Sequence, residues 1–215
     1  MGRRFFSILL VTISTAFVFT GFRSIHGQVV CFGDSITHGA MVDGNSWVSF
    51  LSLEHKDIDF INAGRNGRKT SDKEQLLPIL KQYPDAGYYL IFLGVNDLKD
   101  GTDSMVNNCI INMQWMITGI RNANSKAKVV ILAPCDINLE TMNEINVNKK
   151  YNQNTKQSLY KLEKGYRELA KEEHTGFISL LHAVSKPNYA DGLHPTIDGQ
   201  KEIAKAIWTG LKRLD

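Results

Sequence analysis

Residues 29–40 read VVCFGDSITHGA. The stretch begins with four apolar or β-prone residues, Val29 to Phe32, and turns polar at Gly33. A short apolar run that stops at a glycine is typical of a strand buried on both faces, as strands of parallel sheets are. The stretch therefore predicts an inner parallel strand with Ser35 in the glycine-flanked turn that follows it.

Working outward from this strand, similar apolar runs alternate with segments of helical period. The further strands are predicted at Ile58 to Asn62, Tyr88 to Leu93, Val129 to Ala133 and Phe177 to Leu180. Helices are predicted at Trp47 to Leu53, Asp72 to Lys81, Ser104 to Arg121, Asn154 to Lys171 and Ile197 to Leu211. Because strand and helix alternate with short links, the expected fold is α/β, with a five-stranded parallel sheet covered by helices on both faces.

The N-terminus has the pattern of an export signal. A basic start, MGRR, precedes the apolar run Phe5 to Phe22, which contains no charged residue. We expect residues 1–27 to be a signal peptide and residues 28–215 to form one domain, secreted or periplasmic and not stably bound to a membrane once the signal is removed. An uncleaved membrane anchor is the alternative.

Charge and metal-ligand patterns argue against two classes of partner. The formal net charge is +3, and Arg3, Arg4 and Arg23 are the only charged residues of the leader, so the remaining chain is nearly neutral. This removes the electrostatic argument for nucleic-acid binding. No HExxH motif or CxxC pair is present, and we expect neither a metal nor another cofactor. The three cysteines fit buried apolar positions, with one disulfide as the alternative.

Polar clusters follow the first three strands, and another precedes the last helix. They are Gly33-Asp-Ser35, Asn62 to Gly67, Gly94-Val-Asn-Asp97 and Asp191-Gly-Leu-His-Pro195. Ligands of parallel α/β folds bind beyond the carboxyl ends of the strands. These clusters are therefore expected to meet at one edge of the sheet.

The residue types in these clusters are those that acyl transfer requires. A serine hydroxyl becomes a strong nucleophile when an imidazole accepts its proton and a carboxylate orients that imidazole. Ser35 is the candidate nucleophile, His194 its base and Asp191 the orienting acid. The candidate oxyanion donors are the N–H groups of Ser35 and Gly67 and the side-chain amide of Asn96. His38 is nearer to Ser35 in sequence, but no carboxylate is placed to orient it.

In these blocks the sequence resembles the SGNH hydrolases, also called GDSL esterases and lipases. GDSIT, NAGRNG, GVND and DGLHP match the four blocks of that family in the correct order. The resemblance implies a flavodoxin-like three-layer α/β/α sandwich and hydrolysis through an acyl-enzyme without a metal. It places Ser35, Gly67, Asn96, Asp191 and His194 in the roles given above.

Arg68 is the most informative departure from the family pattern. Many members carry an acidic residue after the glycine of the second block, and arginine there resembles the carbohydrate acetylesterase and arylesterase branches. This resemblance predicts that Arg68 binds substrate and that the chain hydrolyses short-chain esters, acetyl esters of carbohydrates or similar small molecules. The alternative for Arg68 is a surface arginine paired with a nearby acid.

Other functions remain open from the sequence. A lysophospholipase or lipase-like enzyme would act on longer acyl chains, and an acyltransferase would use the same residues with a sugar hydroxyl as acceptor. A non-catalytic binding module would not need a nucleophile, base and orienting acid together. The asparagine-rich segment 136–154 is either plain surface or a wall of the substrate site. The sequence gives no indication of the oligomeric state.

Overall fold

The computed structural model describes residues 27–214. The predicted signal peptide lies outside these residues except for Gly27. The strands are β1 (Gly27–Gly33), β2 (Ile58–Gly64), β3 (Tyr88–Phe92), β4 (Lys128–Ala133) and β5 (Gly176–Ser179). All are parallel and form one sheet in the order β2-β1-β3-β4-β5.

Seven α-helices surround or connect these strands in the described part of the chain. They are α1 (Ser35–His38), α2 (Trp47–Glu54), α3 (Leu76–Gln82), α4 (Asp103–Ala123), α5 (Glu144–Asn148), α6 (Gln153–Glu172) and α7 (Ile197–Leu214). Two 3₁₀ segments, Thr70–Gln75 and Lys186–Asn188, complete the regular structure. No helix within residues 27–214 is long and apolar enough to cross a bilayer.

The sheet separates two hydrophobic cores. On one face, α3, α4 and α6 contribute residues such as Leu80, Met113 and Leu162. On the other face, α2 and α7 contribute residues such as Trp47 and Ile207. Successive strand residues point to opposite faces, so both cores draw on the same strands. The α/β/α three-layer prediction is confirmed.

The strand order fixes where the clusters after the strands meet. From β1 the chain passes to β2 on one side, then crosses to β3 on the other side of β1. This order is that of flavodoxin-like sheets, whose ligands bind where the chain changes direction. The carboxyl ends of β1 and β3 therefore flank the expected site.

The predicted strands and long helices agree with the structure, but the short helices α1 and α5 were not predicted. All five strands are confirmed, and the clearest predicted helix, Ser104 to Arg121, lies within α4. The segment predicted as one helix from Asp72 to Lys81 is instead the end of the 3₁₀ segment Thr70–Gln75, which is kinked at Asp72, followed by α3 from Leu76. The three cysteines are buried and free.

Candidate active site

Ser35 lies where β1 ends and α1 begins. It is the first residue of a helix of four residues that closes with Gly39 in the left-handed conformation, at φ 90°. The end of β2 approaches this helix so closely that a Cβ on Gly64 would stand 2.3 Å from the backbone nitrogen of His38. Ser35 is thus held by backbone on a short, tight turn and is 7% exposed.

His194 and Asp191 come to Ser35 from the far end of the sequence. The Ser35 Oγ stands 3.1 Å from His194 Nε2, and His194 Nδ1 stands 2.9 Å from Asp191 Oδ2. A carboxylate only accepts hydrogen bonds, so Nδ1 carries the proton and Nε2 presents a lone pair to the serine hydroxyl. The three side chains form one directed line of hydrogen bonds.

The loop around Asp191 is fixed by its own backbone. Asp191 Oδ1 accepts hydrogen bonds from the N–H groups of Leu193 (3.0 Å) and His194 (2.7 Å). Burial raises the pKa of Asp191, but the hydrogen bonds from the side chain and backbone of His194 outweigh it and hold the pKa well below its usual range. Asp191 therefore stays ionised wherever the fold is intact at ordinary pH.

The asparagine-rich segment supports this loop from outside. Asn138 N–H donates to the carbonyl of Gly192 (2.8 Å), and the carbonyl of Asp191 accepts from Asn143 N–H (3.1 Å) and from the side chain of Asn146 (3.2 Å). Asn146 is buried, at 2% exposed. Part of segment 136–154, for which the sequence allows either plain surface or a wall of the substrate site, is thus buried and supports the Asp191 loop.

Among the backbone N–H groups near Ser35 that have no acceptor within residues 27–214 are the two predicted oxyanion donors. One belongs to Ser35 itself and the other to Gly67. Arg68 N–H donates to the carbonyl of Arg65 (3.2 Å), and Gly67 has φ 74° between them, as the third residue of a type II turn requires. Both residues line the same pocket, where a substrate oxygen could accept from them.

Asn96, which follows β3, presents its amide to the same pocket. Its Oδ1 accepts a hydrogen bond from the hydroxyl of Tyr151 (2.8 Å), and its Nδ2 donates to the carbonyl of Arg68 (3.2 Å). These partners fix which end of the amide is nitrogen, because the carbonyl of Arg68 only accepts. The other Nδ2 hydrogen donates to Asp34 Oδ2 in a long hydrogen bond of 3.4 Å, which an oxyanion in the pocket would have to replace.

Two carboxylates beside these residues have structural partners. Asp34 Oδ1 accepts from Ile36 N–H at 3.0 Å and so caps α1, and Asp97 accepts from the N–H (3.0 Å) and hydroxyl (2.7 Å) of Thr70. Burial raises the pKa of Asp34 to about 6 and also raises the pKa of Asp97. Asp97 joins the loop after β3 to the one after β2, which keeps Asn96 next to Gly67.

Arg68 is predicted to bind substrate, which requires its side chain to reach the pocket. The structure does not place it there. The guanidinium is buried and donates to the carbonyls of Gly33 (2.6 Å) and Ala63 (2.5 Å) and to Gln75 Oε1 (3.0 Å). It also lies 4.1 Å from the centre of the Phe32 ring. Arg68 therefore satisfies carbonyls at the ends of β1 and β2, and it is not a surface arginine paired with an acid either.

Sequence reasoning missed several residues around Ser35. The pocket has a volume of about 260 Å³ and is lined by Ser35, Ala40, Met41, Asn66, Gly67, Asn96, Lys99, Lys149, Tyr151, Leu193 and His194. Lys99 stands two residues after Asp97, so its nearness to the Gly94–Asp97 cluster could have indicated that it lies at the site. Tyr151 and Lys149 gave none, because they belong to a segment without clear periodicity. His38 is exposed and is not among the lining residues.

Comparison with known proteins gives a family and a set of similar folds. The model of the GDSL-like lipase/acylhydrolase family matches residues 31–202. Similar solved structures include the aryl esterase of M. smegmatis, at 19% identity and TM-score 0.75 over 88% of this chain and 100% of that one. A carbohydrate acetylesterase family member from Sinorhizobium meliloti has 18% identity and TM-score 0.74 over 87% and 98%.

A third similar structure is the acetyl xylan esterase AlAXEase, at 20% identity and TM-score 0.68 over 86% of this chain and 99% of that one. At these identities the three structures establish the shared fold. No curated protein matches the sequence significantly.

Proposed function

The chain belongs to the GDSL-like lipase/acylhydrolase family and is a carboxylic ester hydrolase, and on that premise we propose that it is an exported serine esterase for short acyl groups, acetyl above all, on carbohydrate or similar polar alcohols. Ser35 is the nucleophile, His194 the general base and Asp191 the acid that orients it. The observation that carries the proposal is the line of hydrogen bonds from Ser35 Oγ to His194 (3.1 Å) and from His194 to Asp191 (2.9 Å).

The proposed reaction has two halves that use the same groups. As Ser35 Oγ bonds to the ester carbonyl carbon, its proton moves to His194 Nε2, and the carbonyl oxygen takes the negative charge. The N–H groups of Ser35 and Gly67 and the amide of Asn96 stabilise that oxygen. When the C–O bond to the alcohol breaks, the alcohol takes the proton from His194 and leaves an acyl-enzyme.

Water then repeats the sequence on the acyl-enzyme. It gives a proton to His194 as its oxygen bonds to the acyl carbon, and Ser35 regains that proton when the acyl group leaves as the acid. Asp191 remains ionised throughout and stabilises the imidazolium.

Two observations support a short acyl group. The pocket beside Ser35 holds about 260 Å³, which is below the usual range of about 300 to 1,000 Å³ for small-molecule sites. The similar folds include proteins described as a carbohydrate acetylesterase and an acetyl xylan esterase. Export of the enzyme is proposed from the leader pattern of residues 1–27.

The test is a series of p-nitrophenyl esters from acetate to palmitate. We expect kcat/KM to be highest for the acetate and to fall as the chain lengthens, with Ser35→Ala lowering kcat by about 10⁴- to 10⁶-fold at unchanged stability. Highest activity on palmitate would support the lipase-like alternative and overturn the acetyl proposal.

A further inference from the structure

Two lysines lie on the pocket that holds the proposed nucleophile. Lys99 follows the end of β3, three residues after Asn96, and Lys149 follows the end of α5. Both line the same pocket as Ser35 and His194. Lys149 is exposed at the rim and Lys99 is half-buried. One side of the pocket is therefore cationic.

The two acids that flank Lys99 in sequence are committed to other groups. Asp97 accepts three hydrogen bonds from Thr70, between 2.7 and 3.0 Å. Asp100 accepts from Asn152 (2.7 Å) and pairs with Lys150 Nζ (3.3 Å). Among residues 27–214, no carboxylate forms an ion pair with Lys99 or Lys149.

The position of Lys99 is defined by Tyr151. The Lys99 Nζ lies 5.4 Å from the centre of the Tyr151 ring, the same ring whose hydroxyl holds Asn96. An ammonium over an aromatic face is attracted by the negative face of the ring. Lys99 is thus kept beside the proposed oxyanion donor and does not simply extend into solvent.

Like charges are concentrated here in spite of their repulsion. Burial lowers the pKa of Lys99, and the nearby Lys69 and Lys149 lower it further. A protein surface ordinarily intersperses both signs of charge. Lys69 also interacts with the carboxylate of Asp97, whereas Lys99 and Lys149 form no ion pair within residues 27–214. An anion between Lys99 and Lys149 would offset their repulsion.

We propose that the natural substrate is an ester whose alcohol part carries an anionic group, a carboxylate, sulfate or phosphate, that binds between Lys99 and Lys149. The inference rests on the proposed esterase function. An acetyl group has no position for a second charge, so the anion belongs to the alcohol, which extends from Ser35 toward the exposed Lys149 at the rim. The lysines then position the leaving alcohol and select for its charge.

The experiment compares acetate esters that differ in one charge. The anionic ester is 4-acetoxybenzoate and the neutral one is 4-acetoxybenzamide, each corrected for its rate of alkaline hydrolysis. The measured quantity is the ratio of kcat/KM for the anionic ester to that for the neutral ester. It is determined for the wild type, for Lys99→Gln and Lys149→Gln, and for the double variant.

Lys150→Gln is the matched control, because this substitution removes the same charge one residue away from Lys149. Lys150 pairs with Asp100 and does not line the pocket. We expect the wild type to favour the anionic ester, and each pocket substitution to lower the ratio about two- to fivefold, as partly exposed charge pairs do. Lys150→Gln should leave the ratio unchanged, and added salt should reduce it in the wild type. Extending the series to 4-acetoxyphenyl sulfate and phosphate identifies which anion binds best.

The outcomes separate this inference from the function beneath it. If Ser35-dependent hydrolysis is present but the ratio is unchanged in both pocket variants, the lysines do not select charge and the inference is overturned. The inference is also overturned if the pocket variants lower kcat/KM equally for both esters, since lysines that only stabilise the oxyanion act on every ester. If Ser35→Ala hydrolyses both esters as fast as the wild type, the proposed esterase function itself fails.

Discussion

At the scale of single residues, the pocket depends on how Asn96 is oriented. A free carboxamide can turn either end toward a substrate, and only its nitrogen can donate to an oxyanion. The hydroxyl of Tyr151 and the carbonyl of Arg68 bind opposite ends of this amide. The second N–H is held only by a long hydrogen bond to Asp34 Oδ2, at 3.4 Å, and is the one that can turn to an oxyanion. Tyr151 is 3% exposed, so water does not easily replace its hydroxyl.

Tyr151→Phe tests whether this orientation matters. The variant keeps the ring beside Lys99 but leaves Asn96 Oδ1 without its donor, so we expect kcat to fall about three- to tenfold, the value of one net hydrogen bond, with KM little changed. Steady-state kinetics with p-nitrophenyl acetate measures both.

Tyr89→Phe is the control, because its hydroxyl donates to the carbonyl of Tyr83 (2.7 Å) and does not line the pocket. It should leave kcat unchanged. Wild-type kcat in Tyr151→Phe would show that Asn96 is held without the tyrosine hydroxyl.

Residue roles differ in how far the sequence predicts them. Ser35 and His194 were proposed from the chemistry of their clusters, and the structure brings them within 3.1 Å. The sequence predicts that Arg68 binds substrate, but its long side chain turns inward to the carbonyls of Gly33 and Ala63. Sequence position fixes the start of a side chain, and unsatisfied carbonyls nearby decide where a long one ends.

At the scale of elements, the turn that carries Ser35 is joined to the last helix. Gln200 in α7 is fully buried, and its Oε1 accepts from the N–H of Trp47 (2.9 Å), the first residue of α2. Its Nε2 donates to the carbonyl of Ile36 in α1 (3.0 Å). One side chain thus satisfies groups that two other helices leave unpaired at their ends.

Gln200→Leu should break this connection. It leaves a buried N–H and a buried carbonyl without partners, each worth about 1 to 3 kcal/mol, so we expect the free energy of unfolding to fall by about 2 to 5 kcal/mol. Urea denaturation followed by circular dichroism measures it.

Gln157→Leu is the matched control, since Gln157 is exposed on α6, and its effect should stay within about 0.5 kcal/mol. Equal stability of Gln200→Leu and the wild type would mean that α7 does not brace the Ser35 turn through this residue.

The hydrophobic pattern of the sequence predicts the strands and the long helices but not the short helices. Buried parallel strands are continuous apolar runs, so β3 and β4 were readily predicted. The short helices α1 and α5 were not, because four or five residues show no period. Their existence depends on caps, such as Asp34 for α1 and Asn143 for α5, and on packing against the rest of the fold.

At the scale of the whole molecule, the candidate site is assembled by the sheet. Ser35 and His194 are 159 residues apart in sequence, and the strand order 2-1-3-4-5 places the turns after β1, β2 and β3 side by side. The rule that ligands bind at the carboxyl ends of parallel strands was enough to predict this meeting. The brace from segment 138–146 was not predictable, because it consists of individual hydrogen bonds between loops.

The central claim is that Ser35 is a nucleophile activated through His194. A fluorophosphonate reacts with such a serine and stays bonded to its Oγ, so peptide mass spectrometry after labelling identifies the residue directly. We predict one adduct, on Ser35, which is lost in Ser35→Ala and strongly reduced in His194→Ala. An adduct on another residue, or a folded wild-type protein that takes up no label, would contradict the account.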